Sequence, residues 1–140
     1  MKKFRLRMVT PERSFYDREV LSVTVKDAEG ERQILADHEP FVVSLPAATV
    51  RIDDGEQTLV CSNSEGFLAV KKDGVYILCQ TFEWPDEIEV DRVNRAIEEH
   101  TEELEKTREE HQRLFHAMTL ERAYARLSLL ALMREKNKRR

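Results

Sequence analysis

The sequence predicts an α+β chain, a small β-sandwich or barrel followed by a two-helix hairpin. Three observations carry this. Before residue 85 the apolar residues fall in short runs separated by turn residues, the pattern of closely spaced strands. In the 48 residues after Arg92 there is neither proline nor glycine, and apolar residues recur at intervals of three and four. Between the two patterns stands TFEWPDEIEVDR, residues 81–92, where Trp84 precedes Pro85 and is thereby driven to extended geometry that cannot continue a helix. The division therefore falls after Glu87, with residues 1–87 as the strand domain and residues 88–140 as the helical one.

Residues 4–9, FRLRMV, place Phe4, Leu6 and Met8 on one face and Arg5 and Arg7 on the other, a half-buried strand. Further runs follow at 19–26, 31–35, 41–45, 48–53, 57–62, 66–71 and 74–81. Asp53-Asp54-Gly55 and Lys72-Asp73-Gly74 separate the later ones as hairpin turns, because Asp-Gly supplies the positive φ that tight turns need. At the exit Trp84 caps the sandwich, and Asp86 and Glu87 suit the positive end of a helix. From Val90 the period changes: Val93, Ile97, His100 and Leu104 draw one helical stripe, and Leu114, Met118, Leu120, Ala123, Leu127, Leu130 and Ala131 a second. The segment between them is polar all round, so a turn is expected near 106–113.

Charge separates these parts. Of the 140 residues, 36% are charged and the net charge is −4. Residues 1–88 and residues 89–112 each carry −5, while residues 113–140 carry +6. An acidic helix followed by a basic one suggests a hairpin drawn together by charge or a basic arm awaiting an acidic partner, and a pair this polar is a candidate for a movable element. The basic run has no interleaved aromatics, which argues against nucleic acid. Cys61 and Cys79 lie in apolar runs with no CxxC, so buried free thiols are expected. The amino-terminal MKKFRLRMV alternates charge with bulk and is neither a signal peptide nor a membrane span, which leaves a cytosol-facing chain.

The motifs of catalysis are missing. The four glycines, at 30, 55, 66 and 74, are too scattered to cradle a phosphate, and there is no GxxxxGKS/T, HExxH or GxSxG. His100, His111 and His116 sit on predicted helices in ordinary amphipathic roles, with no metal-ligand spacing. This chain is not read as an enzyme on its own.

Five ordered pieces then converge. FEWPDEIEVDR (82–92), MVTPERSFYD (8–17), His38-x-Pro40, Phe41-Val42-Val43 and Gly66-Phe67-Leu68-Ala69-Val70 together resemble the epsilon subunit of F-type ATP synthases over the whole chain. The resemblance implies a ten-stranded β-sandwich followed by an antiparallel two-helix hairpin. It implies a non-catalytic subunit of the central stalk, with the gamma subunit, the c-subunit ring and the alpha and beta catalytic subunits as partners. It implies a peripheral position at the cytoplasmic face of a bacterial plasma membrane, touching the membrane only through the complex. The hairpin either lies on the sandwich or extends towards the catalytic subunits and restrains ATP hydrolysis. Where the family reads Gly-x-x-Gly-Val-Leu-Pro-Gly-His-Ala-Pro, this chain has Gln33, Ala36 and Asp37 at positions of special backbone geometry, so altered loops are expected.

The resemblance also supplies site candidates. Relatives that bind ATP use a motif similar to Ile-Asp-x-x-Arg-Ala, matched here by Ile88-Glu89-x-x-Arg92-Val93, together with arginines of the second helix, here Arg122 and Arg126. Glu83, Ile88, Glu89, Arg92, Arg122 and Arg126 are therefore the candidate nucleotide-binding residues, with no cofactor required and ATP as a regulatory ligand only. The competing reading pairs Arg122 and Arg126 with Glu98, Glu102 or neighbours across the hairpin. Glu31, His38, Arg134, Lys136, Lys138 and Arg139 are the candidate partner contacts. The rival function is a free-standing nucleotide-sensing β-sandwich module.

Overall fold

The computed structural model describes the backbone of residues 1–138 and the side chains of residues 1–134. Ten strands run in chain order: β1 (Phe4–Val9), β2 (Ser14–Val20), β3 (Ser22–Asp27), β4 (Gly30–Leu35), β5 (Phe41–Leu45), β6 (Ala48–Asp53), β7 (Thr58–Asn63), β8 (Gly66–Lys71), β9 (Gly74–Cys79) and β10 (Phe82–Glu83). They form two five-stranded sheets, β2-β1-β9-β8-β5 and β10-β7-β6-β3-β4. All pairings are antiparallel except β1 with β9. The inward positions of both sheets, among them Leu6, Met8, Val23, Ile34, Val50, Ile52, Leu68 and Ile77, are 0% exposed and form one core. The sandwich and its strand count are as the resemblance implied.

Two features of the strand order differ from expectation. The run at 19–26 is not one strand but the end of β2 and most of β3, which lie in different sheets. The chain crosses between them at Leu21, whose N–H donates to the Asp53 carbonyl at 2.8 Å, and an unbroken β-forming sequence hid the crossing. Residues 14–18 were not expected as a strand because their charged outward positions mask the period. Those charges sit on an edge strand, where they discourage further pairing.

Backbone geometry explains particular residues. Gly74 holds φ +145 in the β8–β9 turn, and a Cβ there would lie 2.7 Å from the Arg5 carbonyl oxygen. Asp37 adopts φ 63, the left-handed conformation that glycine favours and aspartate tolerates, so the loop keeps a glycine-like shape without glycine. Its carboxylate accepts from Lys2 Nζ at 2.8 Å. Cys61 and Cys79 are buried free thiols, as expected. Burial pushes Cys61 up and Cys79 up to about 12, so neither is a nucleophile near neutrality.

At the exit, Trp84 stacks on Phe15 at 4.5 Å between centroids, and Phe15 stacks on Phe82 at 5.1 Å. The Glu87 carboxylate accepts the Trp84 N–H at 2.9 Å and closes a 3-10 turn at Pro85–Glu87. Two helices follow, α1 (Val90–Lys106) and α2 (Glu110–Lys138). The break between them needs neither glycine nor proline. Glu109 accepts the backbone N–H groups of His111 and Gln112, both at 3.0 Å, and Arg113 donates to the carbonyls of Leu104 and Thr107, both at 2.9 Å.

The helices pack against each other, and α2 packs on β6 and β7 of the second sheet. Its buried residues are Ala123, Ala125 and Leu129, whereas Leu114 and Ala131 of the expected stripe are exposed. A helix covered on two sides buries residues from two faces, so a single stripe misjudged it. Among the described residues no ion pair joins α1 to α2; Arg122 and Arg126 point to the sandwich instead, and half of the basic residues of 113–140 have side chains outside the described residues.

Candidate functional site: the seam between sandwich and helices

The seam has an apolar floor and a charged rim. Ile88, Val93, Ala123 and Leu129 are buried together, flanked by Val60 of β7 and by Ile97, Leu127 and Leu130. This cluster is separate from the sandwich core. Above it, residues four apart on α2 share a face. Arg122 meets Glu65 with Nε 2.7 Å and Nη2 2.7 Å from Oε2, and Nε 3.0 Å from Oε1. Arg126 meets Glu83 of β10 with Nε 2.7 Å and Nη2 2.6 Å from Oε1. All four side chains are about a quarter to a third exposed, between 24% and 36%, which places the pairs where water only partly screens them.

This arrangement locates the candidate nucleotide residues one by one. Glu83, Arg122 and Arg126 are brought together, but each arginine is already paired with a carboxylate, Arg122 with Glu65 and Arg126 with Glu83. Ile88 belongs to the apolar floor, and Glu89 and Arg92 are exposed at the start of α1. Neither Glu98 nor Glu102 takes an arginine of α2, because that face of α2 is turned to the sandwich. Glu65 was the partner that sequence reading missed. It sits in the tight β7–β8 connection before Gly66, and its charge at that place was the available signal.

The partner-contact candidates lie apart from this seam. Glu31 on β4 is exposed, with Arg51 Nη1 at 3.9 Å. His38 is exposed on the β4–β5 loop and packs on Phe41 at 4.8 Å between centroids. Arg134 is exposed, while the side chains of Lys136 and Lys138 and the whole of Arg139 lie outside the described residues. Sequence reading also passed over an apolar patch on the outer face of the first sheet. Phe67 and Leu78 are cross-strand partners 46% and 38% exposed, and Val42, paired with Ala69, is 70% exposed. The signal was apolar residues at outward positions of three neighbouring strands.

On α1 and α2, His100 and His116 are not independent amphipathic positions. Their Nδ1 atoms are 2.7 Å apart, with Phe115 edge-on to both rings, while His111 is exposed.

Comparison with known proteins agrees with this architecture. Residues 3–85 match the family model described as ATP synthase, Delta/Epsilon chain, beta-sandwich domain. The chain is 36% identical over 127 residues to the ATP synthase epsilon chain of Alkaliphilus metalliredigens, covering 91% of this chain and 95% of that one. It is 33% identical over 135 residues to the ATP synthase epsilon chain of Caldanaerobacter subterraneus subsp. tengcongensis, covering 96% and 98%. Among solved structures it superposes on a chain of the Euglena gracilis mitochondrial ATP synthase, OSCP/F1/c-ring, with a TM-score of 0.79 at 23% identity, over 91% of this chain and 81% of that chain. At that identity the match speaks for the fold, and the sequence relatives carry the assignment. A sandwich of this topology, a helical pair clasped to its second sheet and near full-length similarity to these relatives lead to one statement: the chain belongs to the epsilon-chain family of ATP synthases, a subunit of that enzyme and not its catalytic one.

Proposed function

We propose that the sandwich couples the gamma subunit to the c-subunit ring, and that the helices restrain ATP hydrolysis by leaving the sandwich and reaching the alpha and beta catalytic subunits. The observation that carries this reading is the seam. Among the described residues the helices are attached by two side-chain ion pairs and a small cluster of their own, not by the sandwich core, so they can leave without unfolding it. Released, Arg122 and Arg126 become free to pair with acidic surfaces of the catalytic subunits. Glu65 and Glu83 thus compete with those surfaces for the same two arginines.

The patch formed by Val42, Phe67 and Leu78 suits a large apolar contact with gamma, and exposed Glu31 and His38 suit polar contacts with gamma and the c ring. Attachment to the cytoplasmic face of the membrane then runs through these partners, since no described helix is long and apolar enough to cross it. Co-purification with gamma separates this reading from a free-standing sensor. Deleting residues 89–140 from the assembled enzyme tests the regulatory half: the complex still assembles and hydrolyses ATP faster than the parent. Unchanged hydrolysis would refute it.

No cofactor is required in this reading. ATP acts only as a regulatory ligand, and it reaches Arg122 and Arg126 by taking the places of Glu65 and Glu83. In calorimetric titration of the full chain, a Glu65→Gln, Glu83→Gln variant should bind ATP on the order of tenfold more tightly than the parent. Equal affinity would mean that these arginines are not where a nucleotide binds.

A further inference from the structure

Away from the turn, a single hydrogen bond joins α1 to α2 among the described residues, and it links two histidines. At 2.7 Å between Nδ1 atoms, one ring donates its Nδ1 proton and the other accepts through its Nδ1 lone pair. The ring centroids are 5.0 Å apart and both rings are half-buried. This contact matters because the distal half of α1 has little else. Val93 and Ile97 pin the start of the helix to the seam, but from residue 98 to residue 106 only His100 and Leu104 are even half-buried.

Protons act on such a pair in two unequal steps. A first added proton leaves a cationic donor facing a neutral acceptor, and the bond survives. A second removes the last Nδ1 lone pair and sets two cations side by side. By helical spacing, the charged residues beside the pair are Glu99 and Glu103 on α1 and Arg113 on α2. No hydrogen bond or ion pair brings either glutamate to the rings among the described residues, and none reaches the rings from the sandwich. Arg113 is engaged by the carbonyls of Leu104 and Thr107 and adds a further positive charge nearby. The glutamates offset one cation but cannot restore a lost acceptor. With both rings protonated, the one hydrogen bond that joins the helices away from the turn is gone.

We propose that the His100–His116 pair is a proton-operated latch, which lets the distal half of α1 swing away from α2 when both rings are protonated. Arg122 and Arg126 keep α2 on the sandwich meanwhile, so opening is confined to the hairpin. Any use of this motion in control of the enzyme rests on the regulatory reading above. The proton response itself is a property of the isolated chain and stands or falls without it.

The test is nuclear magnetic resonance of the ¹⁵N-labelled full chain, titrated across histidine's range from about pH 8 to about pH 5. At the alkaline end one imidazole Nδ1 should read as protonated and the other as a lone pair. On acidification, backbone resonances of residues 98–109 should move to an open state whose population rises on the order of tenfold, the size expected for one lost hydrogen bond. Resonances of the sandwich should stay fixed, which also reports that the fold is intact. A His100→Gln, His116→Gln variant should lose this transition while its sandwich resonances remain. Protonation of both rings without movement of residues 98–109 would overturn the proposal, as would an unchanged transition in the double variant.

Discussion

The sandwich and the seam bury the same kinds of side chain, but they hold their parts in different ways. Seventeen buried residues from both sheets form the sandwich core, with backbone ladders on either side, against four in the seam cluster. In the sandwich each buried residue is therefore locked by neighbours on other strands as well as by its own ladder. In the seam, among the described residues, α2 is attached by side chains alone. The same physical forces thus give a rigid body in one place and a detachable part in the other, and the distinction lies in how many contacts must break together.

Two leucines, each 0% exposed, test this difference most directly. Leu68→Ala, on β8 in the core, should destabilise the sandwich by about 3 kcal/mol, read from urea unfolding. Leu129→Ala, on α2, removes the same atoms but should release the helices and leave the sandwich transition within about 0.5 kcal/mol of the parent, because its buried neighbours belong to the seam. Equal shifts of the sandwich transition in both variants would mean that the two clusters are one cooperative unit.

The contrast between regions was partly legible in the sequence. Alternation in residues 4–9 and the Asp-Gly turns exposed the strands, and the change of period at Val90 exposed the helices. These signals are local, set by neighbours within a few positions. What was hidden is non-local. The crossing at Leu21 depends on which sheet captures each half of a continuous apolar run. Arg122 and Arg126 were recognised as a pair on one face, but their partners depend on how α2 docks, and charge balance alone favoured α1. The His100–His116 contact joins residues 16 apart, and each looked ordinary on its own helix.

The ion pairs give the next effect in size. Arg122→Ala and Arg126→Ala should each weaken the docking of α2 by about 1 kcal/mol, a value kept modest because the pairs are partly exposed. Fluorescence transfer between labels placed on α2 and on the second sheet reads this docking directly. Raising the salt concentration should loosen the parent and leave the double variant nearly unaffected, since screening acts on charges that the variant has lost. The sandwich transition should not move in either variant. A salt response that persists in the double variant would transfer the clasp to other charges.

The smallest predicted effect belongs to the sandwich and uses pH. The hydrogen bond from Arg32 Nε to Asp27 at 2.7 Å, helped by the N–H groups of Glu29 and Gly30, holds the Asp27 carboxyl below the usual carboxylate range. A carboxyl depressed in the folded state stabilises it above the unfolded value of about 3.9, and that stabilisation is lost as pH falls through this value and below. The parent should therefore lose sandwich stability in acid more steeply than Asp27→Asn, with the two curves converging at the acidic end. Because Asp27 shapes the β3–β4 turn, the loss should appear in the sandwich transition and not in the docking of α2. Parallel curves for parent and variant would remove Asp27 from the account and leave acid sensitivity of the sandwich to its other carboxylates.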